Sequence, residues 1–264
     1  MRALPMLLLG PMLAVALDPA ELESTFREGN DLFRQANAAA GEDPSLAFDL
    51  YQRSARRYER LIEEGGVENG QLYYNLGNAY FRMNDLGRAI LNYREAEQYI
   101  GADSNLRQNL RYARTRRLDR VEEQTETRVL RTLLFWHYDF PRSWRLGLFA
   151  LGWVILWALL CLRTLRPGSV PGLGIGLAGA VGLLFLGSVI AESLLGPEER
   201  PGVVLAPETV ARKGDGDSYA PAFTEPLHAG LEFHVLEVRP GWVHGELPDS
   251  RTCWFPERDV GLVQ

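Results

Sequence analysis

Two long stretches without a charged side chain constrain this chain more than any other feature. Residues 146–162 and 170–191 are uncharged and strongly apolar. A helix needs about 20 residues to cross the hydrocarbon core of a bilayer, and a buried helix of a soluble protein normally keeps a polar stripe, which both stretches lack. The sequence therefore predicts two transmembrane helices, with separate soluble parts before and after them.

The connection between these helices, residues 163–169, is too short to leave the membrane surface. The helices therefore form a hairpin, with both soluble parts on one side of the membrane. The connection carries Arg163 and Arg166 and no acidic residue. Because the positive-inside rule applies to short loops, whereas long domains translocate largely regardless of charge, we expect this loop in the cytoplasm and both soluble parts outside it.

Two further segments suggest export and membrane contact. Residues 1–16 combine Arg2, an apolar stretch and a small-x-small ending at Ala16, which is typical of a cleaved signal peptide. A short uncleaved anchor is the alternative. Residues 128–145 contain an aromatic cluster that suits the headgroup region, and small residues recur every four positions along the second span. Such a face packs closely against either the first span or another protein.

The soluble part before the membrane, residues 22–120, has a 34-residue period that is typical of helix-turn-helix repeats. Its central unit resembles the tetratricopeptide pattern of aromatic, Leu-Gly, Tyr and then Ala-x3-aromatic-x2-Ala. The matching residues are Tyr73, Leu76, Gly77, Tyr80, Ala89, Tyr93 and Ala96. A divergent unit runs from Phe26 to Leu61, with a turn that residues 38–44 are expected to lengthen. A third unit begins at Asp103 and is expected to be a polar-faced terminal cap.

Repeat arrays of this kind bind extended peptides or helices along the concave face formed by the first helix of each unit. The residues predicted on this face are Arg27, Asn30, Asn75, Asn78, Arg82 and Asn109. An asparagine amide can hold a peptide backbone because it offers both donor and acceptor groups. The alternative is that these asparagines face water or cap local backbone.

The last part, residues 202–264, changes to a period of two. Residues 231–238 alternate, residues 239–241 form a turn, and residues 242–247 return, which predicts short antiparallel strands. The Gly241-Trp242 pair and the closing Trp254-Phe255-Pro256 resemble the bacterial SH3 pattern of a small barrel. Tyr219, Phe223, Trp242 and Trp254 are candidates for binding peptide or peptidoglycan by stacking. The alternative is that both tryptophans fill the core.

Composition and motifs argue against several other functions. The net charge of -6 disfavours nucleic-acid binding, and the eight arginines between Arg107 and Arg131 are interpreted as a solvated helix face. His228, His234 and His244 lack a short-spaced ligand pair or a cysteine cluster, so we expect no metal and no cofactor. No nucleophile elbow, phosphate-binding loop or zinc-protease helix occurs in its required context, so we expect no enzyme activity.

The order of signal peptide, tetratricopeptide unit, membrane hairpin and SH3-like barrel, with residues 73–80 and 87–93, resembles BatE-type proteins of the bacterial aerotolerance operon. The resemblance implies an inner-membrane protein that works in the periplasm with von Willebrand factor A-domain membrane proteins and a MoxR-type ATPase. We therefore expect a multidomain chain that acts as a scaffold for protein partners in stress tolerance or assembly. The alternative is an envelope sensor whose barrel binds peptidoglycan.

Overall fold

The computed structural model of this chain describes residues 17–100, 103–119, 121, 134–138, 140, 142–168, 171–195 and 200–263. The predicted signal peptide, residues 1–16, lies outside the described residues. The described chain contains helices before and within the two apolar stretches and a β-sheet region after them.

Five helices form the described part of the N-terminal helical region. They are α1 (Pro19–Ala39), α2 (Pro44–Glu63), α3 (Gly70–Arg82), α4 (Leu86–Ile100) and α5 (Ser104–Thr115). Side-chain caps fix where four of them begin, because Asp18, Asp43, Asn69 and Asp103 each accept a hydrogen bond from a backbone N–H of the first turn. At α1 the cap is reciprocal, since the Glu21 side chain also accepts from the Asp18 backbone.

The helices pair as α1 with α2 and α3 with α4, each pair meeting at a glycine opposite a tyrosine. A Cβ built at Gly77 would lie 2.7 Å from the ring of Tyr93, and one at Gly29 would lie 2.8 Å from the ring of Tyr58. Tyr58 and Tyr93 each keep only 1% of their surface exposed. The missing glycine side chain is therefore what lets the tyrosine ring fit between the paired helices, and the same device occurs in both pairs.

The first pair departs from the expected lengthened turn. Helix α1 continues to Ala39 and α2 begins at Pro44, so the connection is short. The extra residues instead lengthen the helices, which have 21 and 20 residues against 13 and 15 in α3 and α4. The prediction of a long turn was wrong because Ala38 and Ala39 are good helix formers that extend α1.

A short helix α6 (Phe135–Tyr138) precedes two long apolar helices, α7 (Arg142–Leu165) and α8 (Gly172–Leu195). Both are long and apolar enough to cross a membrane. Helix α7 begins inside the segment predicted to be interfacial, and both helices extend beyond the uncharged stretches. They pack against each other where a Cβ on Gly152 would lie 3.4 Å from the Gly182 Cα. The line of small residues on α8 that includes Gly182 therefore faces α7. Gly176 lies on open surface, because a Cβ built there would meet no atom within 4 Å.

The β region contains seven strands among the described residues. They are β1 (Pro201–Val204), β2 (Glu208–Thr209), β3 (Leu227–His228), β4 (Glu232–Arg239), β5 (Trp242–Glu246), β6 (Thr252–Pro256) and β7 (Val260–Leu262). Five form an antiparallel sheet in the order β6-β5-β4-β1-β7, and β2 pairs with β3. The predicted pair of strands around residues 239–241 is confirmed as β4 and β5.

The core of the sheet is built around two stacked rings. Phe233 and Phe255 stack with their centroids 4.4 Å apart, and both are almost fully buried. Gly202 and Gly245 lie beside the Phe233 ring, where any Cβ would come within 2.5 Å of it. These two glycines therefore make room for the Phe233 ring at the centre of the sheet.

Candidate functional site

The predicted groove contains a cavity of about 550 Å³ between α1, α2 and α3. It is lined by Arg27, Asn30, Asp31, Phe33, Arg34, Tyr58 and Asn75. Three of the six predicted groove residues, Arg27, Asn30 and Asn75, therefore lie together. Arg27 is exposed and pairs with Glu23 on its own helix.

The asparagines in this groove are joined to buried tyrosines by hydrogen bonds. The Asn30 Oδ1 accepts from the Tyr58 hydroxyl at 2.8 Å and from the Asn75 Nδ2 at 3.4 Å. One repeat further along, the Asn78 Oδ1 accepts from the Tyr93 hydroxyl at 2.8 Å and from the Asn109 Nδ2 at 2.9 Å. These contacts form an asparagine ladder, consisting of Asn30, Asn75, Asn78 and Asn109.

The asparagine ladder determines whether the groove presents hydrogen-bond donors or acceptors to a ligand. Asn30 and Asn78 each use both lone pairs of the amide oxygen within the protein. Among the described residues, neither amide NH2 of this pair donates to a protein acceptor. The groove is therefore rich in donors, and it suits a ligand with exposed carbonyl or carboxylate oxygens.

Arg82 adds positive charge to the same side of the helical region. Its side chain is exposed at the end of α3. Burial raises the pKa values of Tyr51 and Tyr93, and the nearby Arg82 charge opposes both rises. Arg82 lies four residues beyond Asn78 on α3, so the two positions share one side of that helix. Tyr80 is 8% exposed and donates its hydroxyl proton to Glu59, which confirms the prediction that it points inward.

The four candidates in the β region are placed differently from one another. Trp254 is 8% exposed because the His244 ring stacks on it at 4.5 Å and the Arg239 guanidinium lies 4.7 Å from its centroid. Phe223 packs on the sheet core beneath Arg251. Tyr219 is about half exposed, and Trp242 is half-buried beside a cavity of about 440 Å³. The structure does not gather the four rings into one exposed platform.

The helical region and the β region are docked against each other, which the sequence did not predict. A single carboxylate, Glu232 at the start of β4, binds three arginines. Its partners are Arg94 at 2.7 Å, Arg114 at 2.7 Å and Arg117 at 3.0 Å. Arg114 contacts both oxygens of the carboxylate. We call these four residues the Glu232 cluster.

The electrostatics of the Glu232 cluster favour the charged form. Burial alone would raise the pKa of Glu232. The hydrogen bond from Arg114 and the charges of Arg94, Arg114 and Arg117 outweigh this effect and lower the pKa to about 2. Beside the cluster, Asp119 accepts from the His228 backbone N–H at 2.6 Å and contacts the His228 ring at 3.0 Å. The Glu232 carboxylate is therefore ionised at neutral pH, and its bonds to the three arginines join the β region to the helical region.

Apolar contacts complete the junction between the two regions. Val203 of β1 is fully buried in the same cluster of side chains as the core of the helical region. A Cβ on Gly87 would lie 2.7 Å from the Val204 carbonyl oxygen, and one on Gly261 would lie 2.6 Å from the Leu91 side chain. Helix α4 therefore packs against β1 and β7 about as closely as it packs against α3 at Gly77.

The junction corrects two predictions made from the sequence. Helix α5 is not simply a polar-faced cap, because Arg114 turns towards the β region. The arginine-rich segment is not only a solvated helix face, because Arg114 and Arg117 bind Glu232. The junction also borders a cleft of about 790 Å³, which is lined by residues of both regions, including Tyr80, Arg88 and His228.

At the end of the α7–α8 hairpin remote from the turn after α7, α6, α7 and α8 meet at a polar cluster. Arg145 is 3% exposed and donates to the Ser188 hydroxyl at 2.9 Å and to Glu192. The His137 ring lies 2.7 Å from the same hydroxyl. This cluster locks the short aromatic helix to the start of one apolar helix and the end of the other.

No metal centre is formed by the described residues, where no group of three His, Cys, Asp or Glu side chains converges. His228 is bound to Asp119, and His244 is stacked on Trp254. Comparisons of the chain with protein-family models, with curated proteins and with solved structures find no match.

Proposed function

We propose that this protein is a membrane-anchored scaffold, which binds protein partners in the groove of its helical region. The observation that carries the proposal is the asparagine ladder. It leaves amide donors beside a cavity of about 550 Å³ and close to exposed arginines. Donors arranged along successive helices suit the carbonyl groups of an extended peptide, and backbone recognition is tolerant of sequence.

The finer fold belongs to the same proposal. The helical region is a short tetratricopeptide array, which the repeated glycine and tyrosine contacts at Gly29 with Tyr58 and Gly77 with Tyr93 support. The β region is an SH3-like barrel, supported by its small antiparallel sheet and a core of stacked phenylalanines. Both assignments agree with the resemblance to BatE-type proteins.

The junction supports the proposed topology. Helices α7 and α8 separate the two regions along the chain, yet the Glu232 cluster joins those regions directly. Two docked regions must lie on the same side of a membrane, so α7 and α8 enter and return. With Arg163 and Arg166 at the turn in the cytoplasm, both regions are periplasmic and the protein belongs to the bacterial inner membrane. Reporter fusions at Arg120 and at Gln264 should both show export, and a cytoplasmic signal from either contradicts this topology.

The resemblance indicates the kind of partner. A von Willebrand factor A-domain membrane protein of the same operon would present its soluble part at the same distance from the membrane surface as the helical region, since both proteins are anchored in one bilayer. Holding two such partners close together raises their effective concentration without any further contact. The proposed role is therefore assembly or stress tolerance in the cell envelope.

The groove is tested by crosslinking in cells. A photoreactive amino acid at Arg34, on the cavity rim, should form adducts with a partner protein. The same group at the exposed Arg53, which lines none of the cavities described above, should not. The double variant N75A/R82A should reduce the adducts several-fold while helix content stays constant. Asn78 is kept in this variant because it joins Tyr93 to Asn109. Equal adducts from Arg34 and Arg53, or an unaffected double variant, contradict groove binding.

A second candidate, an envelope sensor that binds peptidoglycan, is favoured by the cavity at Trp242. This cavity of about 440 Å³ brings the indole next to Asp217, Glu257 and Arg258. The purified full chain in nanodiscs should then sediment with isolated cell wall, and W242A should abolish this while N75A/R82A does not. No sedimentation with cell wall, or sedimentation that W242A leaves unchanged, contradicts the sensor.

A further inference from the structure

The pairing of strands places the tip of the β4–β5 hairpin beyond the Pro201 end of β1, which is the end that follows α8 in the chain. Helix α8 ends at Leu195 and β1 begins at Pro201. The five residues between them, 196–200, can span at most about 18 Å. The chain therefore holds the Pro201 end of β1 near the bilayer. Because β4 is antiparallel to β1, β4 runs back towards this end.

Strand β4 extends beyond its partner in that direction. The last register pair with β1 joins His234 to Pro201, and the Val235 N–H donates to the Arg200 carbonyl at 2.9 Å. Residues 236–239 continue past this point for about 13 Å, at about 3.3 Å per residue. The strand then turns at Pro240 and Gly241, where Gly241 has a φ of +81°, and returns as β5. The tip of the hairpin therefore extends beyond the end of β1 that the chain tethers to α8.

The extended part of the hairpin exposes two aliphatic side chains. Leu236 and Val238 keep 49% and 50% of their surface exposed, and Trp242 at the start of β5 is half-buried. The charges beside them are paired, because Arg239 binds Glu237 at 2.8 Å and Asp215 at 2.6 Å. A tip with exposed aliphatic side chains, an indole and compensated charges suits the boundary between water and lipid, where amphipathic rings are favoured.

We propose that the tip of the β4–β5 hairpin, residues 236–242, rests in the headgroup layer of the bilayer that α7 and α8 span. This inference depends on the membrane-anchoring part of the proposed function. The bilayer is the occupant that the tether favours, because every molecule carries its own membrane within reach of its hairpin. Contact at the tip adds a third point of attachment, which fixes the tilt of the docked regions and hence the height of the groove.

The test is a depth measurement on the full chain in nanodiscs. A nitroxide spin label is attached at V238C, or separately at L236C, in a C161S background, and collisions with oxygen and with a water-soluble nickel complex are compared. The matched control is E208C, which is exposed in β2, beyond the opposite end of β1. The labels at 238 and 236 should favour oxygen over nickel several-fold more than the label at 208.

A separate label on the native Cys161, which is exposed on α7, distinguishes this inference from the proposal on which it rests. If collision rates place the Cys161 label in lipid but the labels at 236 and 238 in water, the hairpin proposal is overturned and the membrane anchor stands. If Cys161 also reads as aqueous, the anchor itself fails. Spin–spin broadening at 238 that grows with protein-to-lipid ratio would overturn the lipid contact in favour of a second copy.

Discussion

Replacing Glu232 with glutamine should separate the helical region from the β region without unfolding either. The substitution keeps the shape of the side chain, but it leaves Arg94, Arg114 and Arg117 at the junction without their shared negative charge. Removing one member of a buried ion cluster is costly because the remaining charges stay desolvated.

The magnitude follows from the pKa of Glu232, whose side chain keeps only 10% of its exposure. The pKa falls from the ordinary 4.5 to about 2. At about 1.4 kcal/mol per unit, this fall corresponds to about 3 kcal/mol of interaction between the carboxylate and its surroundings. A loss of this size should raise the population of the undocked state on the order of 100-fold.

Hydrogen–deuterium exchange on the full chain in nanodiscs measures this opening. In the E232Q variant, backbone amides of α4, β1 and β7 should exchange faster, because these elements meet at the junction. Amides of α1 and α2 should not change. The control is E246Q, on the neighbouring strand β5 and away from the junction. Unchanged exchange at α4 and β7 in E232Q would refute the claim that the Glu232 cluster holds the regions together.

Three further outcomes are expected. G77L should lower the free energy of unfolding of the helical region by about 1–3 kcal/mol through overpacking against Tyr93, and an unchanged denaturant midpoint would contradict the repeat assignment. Y80A should cost about 3 kcal/mol by leaving a core cavity, whereas Y80F should lose only the contact with Glu59. Because the pKa of Glu232 is lowered, its contribution is complete above pH 4.5 and is lost as the pH falls towards 2. The protection of β7 amides, taken relative to their intrinsic exchange rate at each pH, should therefore fall across this range in wild type but not in E232Q.

Local patterns in the sequence are enough to predict most elements. The 34-residue period and the position of Gly77 predict α3 and α4, and alternation predicts β4 and β5. The uncharged stretches predict α7 and α8, although both helices run past them because Arg142 and Glu192 are accommodated at the helix ends. In each case the signal lies within one element or one repeat.

The junction could not be predicted in this way. Glu232 lies 138 residues from Arg94 and 115 from Arg117, so no local spacing links these residues. In the sequence, Arg114 looks like any arginine on a terminal helix. The one signal for a buried carboxylate was that Glu232 lies between the apolar residues Leu231 and Phe233. Arg27, Asn30 and Asn75 could be placed near one another from the repeat spacing, and they line one cavity. The bonds of Asn78 to Tyr93 and Asn109 could not be predicted, because they depend on how the helices pack.

The central claim is that two regions separated by a membrane hairpin dock on the same side of the membrane. It is tested most directly by a photoreactive leucine analogue at Leu91 of α4, in the full chain within native membranes. The account predicts an intramolecular link from α4 to the peptide that contains Leu205 or Gly261. A Cβ built at Gly261 would lie 2.6 Å from the Leu91 side chain and 3.1 Å from the Leu205 side chain, so all three residues are close together. Links that join only separate molecules, or no link to the β region, would contradict the account.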